Sequence, residues 1–174
     1  MRVAVLTAEM FEDVELWYPY YRLLEEGHQV DLVGCKAGVT HTGKKGTSVE
    51  ASVSASDLDP QDVDAIVVPG GFSPDYMRRC PPMVGLVRTV GEAGRPVAAI
   101  CHGPWMLASA GLVSGRRVTS YPSIRDDVVN AGGDWSDEEV VTDGNIITSR
   151  RPADLPAFMR TVIEALERDP VPAG

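Results

Sequence analysis

The residues Val97-Ala98-Ala99-Ile100-Cys101-His102-Gly103-Pro104 combine a short β-forming run with an immediate turn into a helix. Four small or apolar residues predict a buried strand, and the helix-forming run 105–110 follows the proline. Gly103 permits a tight backbone, and Pro104 suits the first helical turn, where it has no amide partner to lose. Cys101 is therefore expected at the carboxyl end of a sheet, facing unpaired helix amides that favour a thiolate and can bind an anion.

The remainder of the chain supplies the other layers of such a fold. Short apolar runs predict further buried strands at 3–6, 29–33 and 63–68, and helices are predicted at 14–26, on both sides of Pro81-Pro82, and from between Pro152 and Pro156 onward. This order predicts an α/β fold: a flavodoxin-like three-layer sandwich around a mainly parallel sheet. We expect one domain over residues 1–174.

Two turn signals predict additional β structure. Polar and apolar residues alternate on both sides of Gly43-Lys44-Lys45-Gly46, which predicts an antiparallel hairpin or an edge extension of the sheet within 38–56. The pair Asp143-Gly144 lies between two β-rich runs and predicts a second hairpin.

Composition excludes several classes of function. The net charge of −9 and the isoelectric point near 4.7 argue against nucleic acid as a main partner. No apolar run is long enough to span a membrane. Three isolated histidines without a Cys/His cluster predict no metal site. The odd set of Cys35, Cys80 and Cys101 predicts free thiols in a reducing cytoplasm rather than a disulfide framework.

Three loops at the carboxyl ends of the predicted strands carry useful chemistry. Cys101 is the candidate nucleophile, and Glu12 is placed to act on the thiol as a proton carrier or hydrogen-bond partner. Gly70-Gly71 can bring backbone amides close to a ligand, so these amides and that of His102 are candidates for an oxyanion pocket. The His102 ring is a candidate base and needs a carboxylate to orient it. The sequence leaves three candidates for that carboxylate: Asp75, Asp126 and Asp127.

Several motifs in this order resemble one family. They are Phe11-Glu12-Asp13-Val14-Glu15-Leu16, Pro69-Gly70-Gly71 with Pro74-Asp75, Ala99-Ile100-Cys101-His102-Gly103-Pro104, Thr119-Ser120-Tyr121-Pro122 and Ser149-Arg150-Arg151-Pro152-Ala153-Asp154-Leu155. The chain is similar along nearly its whole length to the ThiJ/PfpI superfamily, and within it to the PfpI-like intracellular protease and deglycase branch. The resemblance implies the class I glutamine amidotransferase-like form of the predicted fold.

The resemblance also implies roles for individual residues. It implies that Cys101 is the nucleophile, supported by Glu12, with His102 as the base and the amides of Gly70 and His102 as the oxyanion pocket. In protease-like members a glutamate from a neighbouring subunit completes the site, and this chain has the shorter Asp75 at the matching position. Tyr121 and Lys44 match positions near the family's pocket.

Three functions follow from the resemblance. The main expectation is a cytoplasmic cysteine hydrolase or deglycase that acts, without a cofactor, on methylglyoxal or on amino groups glycated by it, in protection against stress. The alternatives are an intracellular peptidase with its site at a subunit interface and a non-enzymatic sensor of oxidative stress. All three use a thiolate that adds to a carbonyl or a peroxide. A homodimer, or a hexamer built from dimers, is implied.

Overall fold

A computed structural model describes residues 1–168 of the chain, and the last residues of the predicted domain, 169–174, lie outside this range. The strands are β1 (Arg2–Leu6), β2 (Gln29–Gly34), β3 (Thr40–Thr42), β4 (Ser48–Glu50), β5 (Val53–Ser54), β6 (Ala65–Val68), β7 (Val97–Ile100), β8 (Arg117–Val118), β9 (Asp134–Trp135), β10 (Val140–Asp143) and β11 (Ile146–Ser149). The α-helices are α1 (Asp13–Glu25), α2 (Ser73–Met77), α3 (Pro81–Glu92), α4 (Pro104–Ala110), α5 (Arg125–Asn130) and α6 (Leu155–Arg168). Short 3-10 turns at Pro60–Asp62, Pro122–Ile124 and Pro152–Asp154 precede β6, α5 and α6.

Seven strands form the central sheet in the order β10-β11-β7-β6-β1-β2-β5. Every neighbouring pair is parallel except β10 with β11, which are antiparallel and form the hairpin predicted at Asp143-Gly144. Because the parallel strands end at one edge, the loops after β1, β6 and β7 converge there. The α/β fold and its mainly parallel sheet are confirmed.

Helices cover both faces of this sheet, which gives the predicted three layers. Alternate residues of β7 point to opposite faces, so Val97 and Ala99 pack with α3 and α4, whereas Ala98 and Ile100 pack with α1 and α6. Both faces are apolar, which explains why the central strands are continuous hydrophobic runs.

The prolines of α1 and α3 occupy different positions in their helices. Pro81 and Pro82 form the first turn of α3 rather than a break within a helix, because the first amides of a helix have no partner to lose. Pro19 lies inside α1, which runs without interruption from Asp13 to Glu25. The proline removes the amide that would otherwise bond to the Glu15 carbonyl.

The segment 38–56 combines both structures that its sequence allowed. β3 and β4 pair as an antiparallel hairpin apart from the main sheet, and β5 then joins the edge of that sheet beside β2. Hydrogen bonds from the amides of Met10 and Lys44, to Thr42 and Phe11 respectively, hold the hairpin against the loop after β1.

The cysteine prediction was wrong for two of the three thiols. Cys35 and Cys80 form a disulfide, whereas Cys101 is free. The two partners are 45 residues apart in sequence, so only the tertiary fold brings them together. Closing a loop of this length is expected to stabilise the fold by about 4 kcal/mol, by restricting the unfolded chain.

Over residues 1–168, no helix is both long and apolar enough to cross a membrane.

Candidate active site

Cys101 occupies a strained turn between β7 and α4. Its φ angle is 64°, in the left-handed region that residues with a side chain seldom adopt. The turn is fixed on both sides, because the Cys101 amide donates to the Ser149 carbonyl at 3.0 Å and its carbonyl accepts from the Tyr121 amide at 2.9 Å. Strain of this kind costs about 1–3 kcal/mol and concentrates at functional sites.

Gly103 is required here for a reason other than a special backbone angle. Its φ and ψ are helical, but a Cβ atom would lie 2.6 Å from the Val68 carbonyl oxygen and 2.8 Å from that of Ile100. Glycine therefore lets α4 start close to the ends of β6 and β7, and Pro104 begins that helix as predicted.

The carboxyl group beside the thiol belongs to Glu15, three residues beyond the predicted Glu12. Glu15 is fully buried at the start of α1, and its Oε2 accepts a hydrogen bond from the Gly70 amide at 2.9 Å. The Glu15 carboxyl also lies beside the Cys101 thiol, and each group shifts the pKa of the other. Oε1 of Glu15 is buried and has no hydrogen-bond partner within residues 1–168.

In the structure, Gly71 rather than Gly70 contributes to the predicted oxyanion pocket. The Gly70 amide is already bonded to Glu15 and is not available to a substrate. The amides of Gly71 and His102 instead donate hydrogen bonds to the Cys101 sulfur. Gly71 has a φ of 75° and packs against the backbone of Met10 and Glu12, so a side chain is excluded there. An oxygen that develops negative charge next to the sulfur can use these two donors.

Burial dominates the electrostatics of the site. It raises the pKa of Glu15 to about 7, against the opposing effect of the Gly70 hydrogen bond. Burial, followed by the charge on Glu15, raises the pKa of Cys101 to about 12, whereas the amides of Gly71 and His102 lower it. The sequence predicts that the Cys101 thiol ionises easily. This prediction is wrong when Glu15 is charged. The groups titrate as a coupled pair, in which a proton on Glu15 removes the repulsion that opposes a thiolate.

The His102 ring does reach the thiol, although the two residues are adjacent in sequence. Nδ1 lies 3.3 Å from the Cys101 sulfur, and Nε2 lies 3.2 Å from the Ser123 hydroxyl. Burial, followed by the positive charge of Lys44, lowers the pKa of His102, so the neutral ring predominates at pH 7. A neutral imidazole can accept a proton from the thiol or from the substrate.

None of the three candidate carboxylates bonds to His102 within residues 1–168. Asp75 lies on α2, and Asp126 and Asp127 lie on α5. Asp127 accepts a hydrogen bond from Trp105 Nε1 at 2.9 Å, and the Trp105 ring meets His102 edge-on. The group that bonds to the outer His102 nitrogen in one chain is therefore a serine hydroxyl.

Glu12 and Lys44 form an ion pair near the site. Lys44 Nζ lies 3.0 Å from Glu12 Oε2, at the tip of the β3–β4 hairpin. The Lys44 charge acts on Glu15 and His102, which places the ammonium within electrostatic range of both.

Asp13 fixes the turn that carries Lys44. Its carboxylate accepts hydrogen bonds from the amides of Lys45 and Thr47 and from the Thr47 hydroxyl at 2.7, 3.0 and 2.6 Å. Burial opposes the charge of Asp13, but these hydrogen bonds outweigh it and lower the pKa. Gly43 packs directly on the carboxylate and leaves no room for a side chain.

Aromatic side chains form one wall beside the thiol. Tyr121 stacks on the His102 ring with centroids 5.1 Å apart, and Trp105 meets its edge at 5.2 Å. Phe72 contacts Trp105 in turn, at 6.4 Å. The predicted neighbours of the pocket, Tyr121 and Lys44, are thus both close to His102, on different elements.

Glu15, Asp13 and Ser123 are the residues that the sequence analysis missed. A signal existed for Glu15, because it shares the buried side of α1 with Leu16, Pro19 and Leu23. A carboxylate at a core position marks a functional or ion-paired group. The roles of Asp13 and Ser123 depend on contacts 34 and 21 residues away, for which the sequence carries no signal.

No group of three or more His, Cys, Asp or Glu side chains within residues 1–168 is arranged to hold a metal ion.

Comparisons with known proteins identify the family of this chain. The model of the DJ-1/PfpI family matches residues 1–165. The Deglycase PfpI of Pyrococcus furiosus is 48% identical over 167 residues, which cover 96% of this chain and 100% of that protein. Protein/nucleic acid deglycase 2 of Escherichia coli is 42% identical over 167 residues, or 95% of this chain and 97% of that protein.

A solved structure extends the similarity to three dimensions. It is a two-domain protein of Anabaena variabilis with DJ-1/ThiJ/PfpI-like and ferritin-like domains, superimposed with a TM-score of 0.94 at 38% identity. The match covers 95% of this chain but 48% of that protein, which has a second domain.

Proposed function

This chain belongs to the DJ-1/PfpI family, and on that basis we propose that it is a cysteine-dependent deglycase acting on methylglyoxal or on amino groups that methylglyoxal has modified. The observation that carries the proposal is the thiol of Cys101, held in a strained turn against the Glu15 carboxyl, the His102 ring and two backbone amides. This set contains a nucleophile, two proton carriers and an oxyanion pocket.

The proposed reaction begins with addition of the Cys101 thiolate to the aldehyde carbon of methylglyoxal. A carbon–sulfur bond forms, the carbonyl π electrons move to oxygen, and the amides of Gly71 and His102 stabilise that oxygen until it takes a proton. Proton transfer between the two substrate carbons then converts the hemithioacetal into a lactoyl thioester. Water hydrolyses the thioester, which releases lactate and restores the thiol. For a glycated amine, the amine leaves first as the thiolate displaces it.

Glu15 and His102 divide the proton transfers in this scheme. With a pKa of about 7, Glu15 exists in both protonation states near neutral pH, which suits a residue that gives and takes protons. The neutral His102 ring accepts a proton through Nδ1, which faces the sulfur. Lys44, paired with Glu12, supplies a positive charge that favours anionic intermediates, and Tyr121 holds the His102 ring by stacking.

We further propose that the site is completed in a cytoplasmic homodimer or hexamer. Asp75 makes no bond to His102 within its own chain, so its proposed role is to reach the His102 of a neighbouring subunit. Ser123, which faces Nε2 in one chain, marks the side from which such a carboxylate would approach. The proposed functional unit in each subunit is one domain over residues 1–174.

The same thiolate chemistry also serves the alternatives of a peptidase and an oxidative-stress sensor. One assay separates them: purified protein is given methylglyoxal-modified Nα-acetyl-lysine, free methylglyoxal and a small peptide amide in parallel. A deglycase restores the lysine amine and forms lactate, with turnover of many substrate molecules per subunit. Cleavage of the peptide amide alone, dependent on Asp75 and lost on dissociation, would establish the peptidase. Oxidation of Cys101 without turnover of any substrate would support the oxidative-stress sensor.

A further inference from the structure

The disulfide between Cys35 and Cys80 lies outside the site described above but joins two segments that line it. Cys35 directly follows β2 and precedes the hairpin that carries Lys44. Cys80 lies between α2, which carries Asp75, and α3. The bond therefore links the end of β2, which leads to the hairpin with Lys44, to the segment that follows α2. Its two ends differ in exposure: Cys35 is exposed, whereas Cys80 is 4% exposed.

The segment α2 depends on such attachments for its position. It has five residues, and a helix of this length is not stable by itself. At its start, the Ser73 hydroxyl exchanges hydrogen bonds with the backbone amide and carbonyl of Ala8, both at 3.2 Å. At its end, the Cys80 amide donates to the Met77 carbonyl, and the disulfide fixes Cys80 to the end of β2.

A continuous series of aromatic contacts leads from α2 to the catalytic ring. Tyr76 meets Phe72 with ring centroids 5.9 Å apart, and Phe72 meets Trp105. Trp105 in turn contacts His102. Gly71, whose amide bonds to the Cys101 sulfur, lies two residues before α2. A change in the position of α2 therefore acts on both the His102 ring and one donor to the thiol.

We propose that the Cys35–Cys80 disulfide is a reducible regulatory bond, with a dithiol reductant as its reaction partner, and that opening it lowers the reactivity of Cys101. As regulation of the deglycase site, this inference rests on the proposed function. A thiolate of the reductant attacks the sulfur of the exposed residue Cys35 and forms a mixed disulfide, while the Cys80 sulfur leaves with the electron pair and takes a proton. The second thiol of the reductant then displaces Cys35 as a thiol and becomes the oxidised partner.

The placement of the two sulfurs suits this order of events. Attack requires access to one of the two cysteines, and Cys35 is the exposed residue of the pair. The leaving Cys80 thiolate forms at the start of α3, a helix of twelve residues whose dipole favours negative charge there. Neither cysteine belongs to a strand of the central sheet, so the sheet keeps its strand pairing when the bond opens. The Ser54 hydroxyl still donates a hydrogen bond to the Cys35 carbonyl after the disulfide opens. Opening the bond therefore releases Cys80 and the end of α2 rather than Cys35.

The test compares the oxidised full-length protein with the same protein treated with dithiothreitol or with reduced thioredoxin. Mass spectrometry after maleimide labelling follows Cys35 and Cys80, and the rate of Cys101 alkylation and the deglycase kcat/KM are measured in each state. We expect reduction under native conditions, a fall of about tenfold in both rates, and recovery on reoxidation with diamide. Amide exchange at residues 78–80 should accelerate, because their hydrogen bonds lie in the released turn.

Two variants test whether the effect depends on the disulfide and on the position of α2. Cys35→Ser/Cys80→Ser should match the reduced protein and no longer respond to dithiothreitol. Ser73→Ala, which loosens the other end of α2, should lower Cys101 alkylation while the disulfide stays intact. Resistance of the bond to both reductants in the folded protein would overturn the proposal, as would complete reduction with unchanged alkylation and exchange. Since alkylation and exchange need no substrate, a redox response without deglycase turnover would refute the proposed function and retain the regulation.

Discussion

Replacing Cys101 with alanine is expected to lower kcat/KM for methylglyoxal adducts by about 10³-fold or more, because the residue forms the covalent bond to substrate. The side chain is small and buried at the turn between β7 and α4, and its truncation to a methyl group removes one sulfur atom, so the far-ultraviolet circular dichroism spectrum should remain that of the wild type. The activity is measured as lactate release from methylglyoxal-modified Nα-acetyl-lysine.

The matched variant is Cys101→Ser, which keeps the shape of the side chain and a hydroxyl in place of the thiol. A hydroxyl ionises far less readily, so this variant should lose activity nearly as fully as the alanine variant. If Cys101→Ala turned over the adduct at a rate close to that of the wild type, the assignment of the nucleophile would be wrong.

Replacing Glu15 with glutamine is expected to make the fold more stable at alkaline pH than the wild type by up to about 3 kcal/mol, at about 1.4 kcal/mol per pKa unit. Burial raises the folded-state pKa of Glu15 from 4.5 to about 7. The folded protein thus holds this proton more tightly than the unfolded chain does. The resulting stability is fully present below pH 4.5 and is lost as the pH rises through about 7. Glutamine carries no titrating proton and can still accept the Gly70 hydrogen bond.

The measurement is urea-induced unfolding of the wild type and Glu15→Gln at about pH 5 and about pH 8.5. The two proteins should diverge as the pH rises. Cys101→Ala serves as the control, and it should retain the pH dependence of the wild type, because burial rather than the thiol is the main cause of the Glu15 shift. Parallel pH dependence of the wild type and Glu15→Gln would show that Glu15 does not titrate in this way.

Local sequence signals account for the position of the nucleophile. The four residues before Cys101 form β7 over the range that their composition predicts, and Pro104 begins α4. These features depend on neighbouring residues, and the order of the motifs adds the family and its fold.

Tertiary contacts determine the features of the site that the sequence did not predict. Glu12 and Glu15 both follow β1, and although Glu15 shares the apolar side of α1, only the folded chain shows that this side meets Cys101 while Glu12 pairs with Lys44. The Gly70 amide is not available to the oxyanion pocket for the same reason, because it donates a hydrogen bond to the Glu15 carboxylate. The disulfide forms because the fold brings the ends of β2 and α2 together. The spacing of the cysteines in the sequence does not predict that contact.

The pH dependence of Cys101 alkylation by iodoacetamide tests most directly whether Cys101 and Glu15 act as one titrating pair. Glu15 loses its proton near pH 7, and its charge then acts with burial to raise the pKa of Cys101 to about 12. We expect the alkylation rate of the wild type to keep rising up to about pH 12, and the midpoint of Glu15→Gln to lie at lower pH, because the charge that repels the thiolate is gone. A single midpoint at about pH 8.5, typical of an isolated thiol and identical in both proteins, would contradict this expectation.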